Sequence, residues 1–290
     1  MNRPLAVITG ATSGLGRITA LDLARRGYQL GIVARSEAKA AALLGDLDRV
    51  ADDAQADVFL ADLALIAEAR RAGREIAARY GRLDVLVNNA GLHAFSQRVT
   101  AEGLAEMTAV NYLGPFALTE ELTDALLASG AGRIVNVASE AARQADSITP
   151  ATDLRDTAPY TRRESMALYG RTKLMTIMWT QELARRLDPA RVTVNCCDPG
   201  FNATGLGRDL PGSAVLQRVL NVLRVGDPRR GAAIIVRLAT DPAFASTSGG
   251  YFSVRDAKPL PCPEAGRDEQ IQRELWTQSL SLLLDLQPLP

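Results

Sequence analysis

The sequence predicts an α/β fold in one domain over residues 1–290: a single doubly wound parallel sheet of about seven strands flanked by helices on both faces. Short runs rich in Val, Ile and Leu alternate with longer amphipathic stretches along the whole chain. Those short runs are continuously apolar instead of alternating with polar residues, as expected of strands covered on both sides. No charge block or low-complexity linker divides the 290 residues, and 47% of them are apolar, enough for one large core.

In chain order, strands are expected at Leu5–Thr9, Gln29–Ala34, Asp57–Leu60, Leu83–Val87, Arg133–Ala138, Val192–Cys196 and Tyr251–Val254. Helical periodicity places helices at Leu15–Arg26, Glu37–Val50, Ala64–Tyr80, Glu102–Ala128, Met166–Arg186 and Arg229–Thr240. Two segments break the rhythm: 140–165, polar and holding Pro150 and Pro159, and 201–228, with several glycines. Both follow strands on the carboxyl edge, where such sheets bind ligands, so they are expected to wall a substrate pocket.

Composition narrows the partners. Thirty-three basic and 33 acidic residues leave no net field to draw nucleic acid or an anionic membrane, which favours a small-molecule substrate. The apolar stretch after Met1-Asn2-Arg3-Pro4 is too short for a signal-peptide core or a membrane span, so a cytoplasmic protein is expected. Cys196, Cys197 and Cys262 are few, odd in number and without a Cys-x-x-Cys or His-rich partner, which argues against disulfides and metal. With His93 the single histidine, a Ser-His-Asp hydrolase would have to be built around that residue alone.

The first strand runs into Thr9-Gly10-Ala11-Thr12-Ser13-Gly14-Leu15-Gly16 and then a helix. Glycines there let the backbone turn tightly against a pyrophosphate, whose charge sits on the free N–H groups at a helix N-terminus, as in Rossmann-type sheets. Three further strings follow later strands in order: Asp62-Leu63, Asn88-Asn89-Ala90-Gly91 and Asp198-Pro199-Gly200. Spacing and order together resemble the short-chain dehydrogenase/reductase family over essentially the whole chain. The resemblance implies that Gly10, Thr12, Ser13, Gly14, Leu15 and Gly16 hold the cofactor phosphates. It also implies that Asp62 and Leu63 flank the adenine, that Asn89, Ala90 and Gly91 fix strand and cofactor, and that Pro199 and Gly200 edge the nicotinamide.

At the end of the second strand, Val33-Ala34-Arg35-Ser36 lacks the acid that would bond the ribose hydroxyls of NAD. Arg35 offers a planar donor fork to the 2′-phosphate of NADP(H), a charge-assisted contact of about 1.5–3 kcal/mol, with Ser36 and Arg17 as possible assistants. NADP(H) is therefore the expected cofactor.

Tyr169-Gly170-Arg171-Thr172-Lys173 sets a phenol and an ammonium at i and i+4, one face of one helix. A phenol titrates near 10, so exchanging protons at neutral pH calls for about 4 kcal/mol of help to its anion, which Lys173 and a cationic nicotinamide could supply. Lysine occurs only at 39, 173 and 258 in this Arg-rich chain, so its presence at the site points to a need for a compact ammonium. By the family resemblance, Ser139 bonds the substrate oxygen, Tyr169 is the general acid/base, and Asn111 holds a water linking Lys173 to solvent.

The segment Val110–Phe116, the long 140–165 insertion, Gly250-Tyr251-Phe252 and a later helix with Leu275-Trp276 are similar to the retinol-dehydrogenase and protochlorophyllide-reductase-like branch. That likeness implies reduction of a hydrophobic or bulky carbonyl, or oxidation of the alcohol. The N-terminal anchor of membrane-attached members has no counterpart, so membrane residence is not carried over. It also implies a homodimer or tetramer through the helices before and containing Tyr169, of which a homodimer is expected here. The Leu-rich stretch after Leu275 is expected to pack over the pocket or against another subunit, and His93 to be a hydrogen-bonded loop residue, the alternative being a contact with substrate or cofactor. Two other readings share these motifs: a cofactor-binding regulator without turnover, and a lyase, epimerase or cyclase whose turnover leaves cofactor absorbance unchanged.

Overall fold

A strand buried on both faces must find helices above and below it; seven strands form one sheet in the order β3-β2-β1-β4-β5-β6-β7, its inner strands buried and its β3 edge partly exposed. The computed structural model describes residues 3–200 and 227–286. The strands are β1 (Leu5–Thr9), β2 (Gln29–Ala34), β3 (Ala56–Leu60), β4 (Val85–Asn88), β5 (Gly132–Val137), β6 (Val192–Asp198) and β7 (Tyr251–Ser253). Every adjacent pair is parallel. The order reverses between β1 and β4, which opens a crevice at their carboxyl ends.

The connecting helices are α1 (Gly14–Arg25), α2 (Glu37–Val50), α3 (Ile66–Tyr80), α4 (Glu106–Thr108), α5 (Gly114–Ser129), α6 (Pro150–Asp153), α7 (Ser165–Arg186), α8 (Pro228–Thr240) and α9 (Glu269–Asp285). One face of the sheet packs on α1, α2 and α8 through Ile8, Leu30, Ile32, Val87 and Val135. The residues between them in sequence, such as Val7, Val33, Leu86 and Ile134, point the other way, toward α3, α5, α7 and α9.

Expected and observed strands coincide at β1 and β2 and differ by one or two residues elsewhere. A real difference lies at 102–128, expected as one helix. There the chain first makes a tight loop closed by a Val99–Ala105 bridge, with Gly103 at φ +76°. Residues Ala109–Leu113 then form a single π-helical turn between α4 and α5. Of the expected pocket wall 201–228, residues 201–226 lie outside the described residues.

The Leu-rich C-terminal stretch packs on its own chain. In α9, Leu275, Trp276, Leu282 and Leu283 are buried against α7 and α5, with the Trp276 ring 5.0 Å from Phe116 and the Arg186 guanidinium 4.5 Å above it. Among the described residues no helix is long and apolar enough to cross a membrane.

Candidate active site

The glycine-rich turn after β1 is locked by β4. Gly10 sits at φ +67°, and a Cβ there would lie 2.9 Å from Ala90 Cα; at Gly16 it would lie 2.4 Å from both Asn89 Nδ2 and Gly10 O. The Asn89 amide donates to the carbonyls of Thr9 (3.0 Å) and Gly10 (3.3 Å). The main-chain N–H groups of Asn89 and Ala90 both donate to Thr9 Oγ1 at 3.0 Å. Thr9, which opens the glycine-rich string, is thus the clamp that joins the two strings.

Beyond the turn, Thr12, Ser13, Gly14 and Leu15 are half-buried, and α1 begins without a side-chain cap or an acid in its first turn. A helix start that no side chain satisfies, beside backbone that nothing but glycine fits, suits a pyrophosphate. Arg35 stands exposed at the end of β2, its guanidinium 3.8 Å from the Asp62 carboxylate at the end of β3. Ser36 accepts from Lys39 N at 3.4 Å and caps α2. Asp62 accepts from Ala64 N at 3.0 Å in its own turn, and Leu63 is buried. Arg17 is committed to Asp46 on α2, Nε to Oδ2 3.1 Å, which leaves Arg35 as the guanidinium at the β2 edge.

On the other side of the crevice, Asn111, Ser139, Tyr169 and Lys173 come together. Asn111 sits in the π-helical turn. Its Oδ1 accepts from Leu92 N (2.8 Å), and its Nδ2 donates to Leu92 O (2.9 Å) and Thr172 Oγ1 (3.0 Å). Lys173 is 3% exposed and donates from Nζ to Val137 O at 2.8 Å. Its ammonium lies 5.8 Å from the centre of the Tyr169 ring. A Cβ on Gly91 would lie 3.3 Å from Asn111 Oδ1 and 3.4 Å from Lys173 Nζ, so the Asn-Asn-Ala-Gly string ends against the lysine.

Ser139 leads the turn after β5, its hydroxyl accepting from Ala141 N (3.1 Å) and near enough to the Tyr169 phenol to lower its pKa. Asp198, at the end of β6, accepts from Glu140 N at 3.1 Å and so braces that turn. Gly170 lets α7 approach it: a Cβ there would lie 2.3 Å from Ala141 O. Sequence reasoning missed Gly170 and Thr172, although each lies within the Tyr-x-x-x-Lys string. Pro199 and Gly200 close β6 at the same edge, Gly200 at φ +72°.

Electrostatics follow burial. Burial pushes the Tyr169 phenol above its ordinary range; the Ser139 hydroxyl opposes this and the Asp198 charge adds to it. Burial brings Lys173 down to about 8 and raises Asp198 against the pull of the Glu140 and Gly200 N–H groups. At neutral pH the site therefore holds a protonated phenol beside an ammonium. No group of three metal-ligating side chains occurs among the described residues, and all three cysteines are buried free thiols.

A phosphate cradle, a proton donor and an ammonium at a topological switch point suit hydride chemistry on a dinucleotide. Comparison with known proteins agrees. Residues 4–151 match the short chain dehydrogenase family. Human retinol dehydrogenase 13 is 35% identical over 283 residues, covering 96% of this chain and 83% of its own length. A Streptomyces sp. (strain C5) protein provisionally named daunorubicin C-13 ketoreductase is 34% identical over 279 residues, 96% of this chain and 92% of that one. A crystal structure of an uncharacterised Mycobacterium paratuberculosis protein superposes with a TM-score of 0.75 at 27% identity, covering 97% of this chain and 93% of that one. The chain belongs to the short-chain dehydrogenase family of oxidoreductases, in its retinol-dehydrogenase-like branch.

Proposed function

We propose that the protein is an NADP(H)-dependent reductase of a hydrophobic or bulky small-molecule carbonyl, the reverse reaction oxidising the alcohol. The observation that carries the cofactor choice is Arg35, an exposed guanidinium at the β2 edge where an NAD-selective site would place an acid. Gly10 to Gly16 would hold the pyrophosphate, Arg35 and Ser36 the 2′-phosphate, Asp62 and Leu63 the adenine, Asn89 to Gly91 the strand edge, and Pro199 and Gly200 the nicotinamide. When bound, NADPH supplies the hydride.

The chain's own residues handle the oxygen and the proton. The Ser139 hydroxyl and the Tyr169 phenol bind the carbonyl oxygen, and Tyr169 donates its proton as negative charge develops there. A phenol whose pKa lies above its ordinary range arrives protonated, which suits the reductive direction. Lys173, charged below about 8, stabilises the tyrosinate left behind, and Asn111 fixes the strand of backbone beside it. Relatives named for retinol and for a daunorubicin C-13 ketone support a lipophilic or polycyclic substrate.

The test is NADPH absorbance decay by wild type and Tyr169→Phe across hydrophobic aldehydes, ketones and quinones, with NADH in parallel. Turnover that prefers NADPH and falls about 10²–10⁴-fold in the variant supports the reading. Turnover without change in absorbance overturns it in favour of redox-neutral chemistry. A homodimer is proposed as the solution state, with α9 lying against α7 and meeting α5 at the Trp276–Phe116 pair. Light scattering at the mass of one chain overturns the dimer.

A further inference from the structure

Four side chains follow one another from the proton donor outward. The His93 ring lies 5.0 Å from the Tyr169 ring with an interplanar angle of 29°. The Phe95 ring, tilted by 47°, is 4.6 Å from the His93 ring, and the Arg162 guanidinium sits 5.2 Å above Phe95. The outer members, Arg162 and Tyr169, come from the segment that ends in α7; the inner two come from the loop after β4.

Hydrogen bonds tie the loop to that segment. The Tyr160 hydroxyl donates toward the carbonyls of Ala94 (3.1 Å) and Ser96 (3.0 Å). His93 Nε2 is 3.1 Å from Ser165 Oγ, the first residue of α7, and that hydroxyl spends its own hydrogen on Arg162 O at 2.8 Å. Ser165 is left as an acceptor, so Nε2 of His93 carries the hydrogen and Nδ1 the lone pair. An imidazole with one nitrogen bonded, stacked on one ring and crowded by a second has little freedom to turn.

We propose that His93 is a positioning residue for Tyr169: the imidazole, held as its Nε2–H tautomer by Ser165, is the wall that keeps the phenol facing Ser139. The inference rests on Tyr169 being the general acid/base. Nothing about the Asn-Asn-Ala-Gly string that precedes His93 requires a ring there; the requirement comes from the stack. Displacing a reacting group by about 1 Å can cost on the order of 10²-fold in rate.

Three variants separate the roles. His93→Leu removes the ring and is expected to lower kcat at least about tenfold, with the dissociation constant for NADPH, read by fluorescence titration, within about threefold of wild type. His93→Phe restores the stack and is expected to recover most of that kcat, while Ser165→Ala, which frees the imidazole, falls between. As His93 is the single histidine, nitrogen-15 NMR of the imidazole reads its tautomer without any substrate. The expected spectrum has Nε2 protonated and Nδ1 unprotonated at neutral pH. An Nδ1–H tautomer, a freely averaging ring, a His93→Leu variant within twofold of wild-type kcat, or a His93→Phe variant as slow as His93→Leu overturns the proposal. A protein with the expected tautomer but no turnover in either wild type or Tyr169→Phe instead removes the reading of Tyr169 on which the proposal depends, and the proposal with it.

Discussion

The helices on one face of the sheet, α1, α2 and α8, enclose an almost wholly aliphatic core of Ala, Val, Ile and Leu, closed at one end by Phe244 and Phe252. The opposite face, under α3, α5, α7 and α9, buries an aromatic cluster of Tyr112, Phe116, Trp179 and Trp276 together with a line of polar side chains. On that face Asn88 donates to Thr119 Oγ1 (3.0 Å) and to Asn136 Oδ1 (2.9 Å), and Asn136 donates to Thr180 Oγ1 (2.9 Å). The pairing is a consequence of register, because Asn88 stands directly opposite Asn136 in the β4–β5 ladder. Polar groups in a core have to be bonded or they cost about 1–3 kcal/mol each. The face that carries Tyr169 and Lys173 is therefore geometrically specified, while the other is held mainly by volume and shape.

That contrast can be broken most strongly at the aromatic cluster. Trp276→Ala, at the centre of the α9 contact, is expected to cost about 3–5 kcal/mol in urea unfolding. A loss under about 1 kcal/mol would mean that α9 adds little to the face it covers. Lys173→Met tests the opposite sign. Burial lowers this lysine to about 8 from an ordinary 10.5, so keeping it charged at pH 7 costs about 3 kcal/mol, against about 1 kcal/mol for its bond to Val137 O. The variant should be inactive yet more stable at pH 7 by about 2 kcal/mol. Between pH 8 and 10.5 the unfolded wild type binds more protons than the folded one, so wild-type stability gains with pH and the variant's advantage should shrink.

The aliphatic face gives smaller effects. Arg35→Ser, at its sheet edge, is expected to weaken NADPH binding about ten- to hundredfold, or about 1.5–3 kcal/mol, and to leave NADH unchanged in fluorescence titrations. An equal loss for both cofactors would remove Arg35 as the selector. Ile32→Val, in the middle of β2, should cost about 1 kcal/mol of stability with kcat unaffected.

The sheet was readable because parallel strands covered on both sides are written as unbroken apolar runs, and β1 and β2 could be bounded to the residue. That Asn111, Ser139, Tyr169 and Lys173 share a site was expected from the family resemblance, since only Ser139 stands at the end of a strand and the other three lie on helical turns. What escaped was set by contacts between distant residues. The π-helical turn at Asn111 goes with two bonds to Leu92, nineteen residues back in the chain, although Gly103 did mark the turn that delays the helix. Arg17 reads as an assistant to Arg35 until α2 brings Asp46 beside it. His93 reads as a loop residue until its ring is found against Tyr169, 76 positions on in the chain.

Both tryptophans of the protein, Trp179 and Trp276, belong to the one aromatic cluster, each in contact distance of Phe116. Intrinsic emission is therefore a local gauge of how α9 is seated on α5 and α7, and is nearly blind to the half of the molecule that would receive the nucleotide. An emission change during unfolding that runs ahead of the loss of helical circular dichroism would identify α9 as the first element to leave.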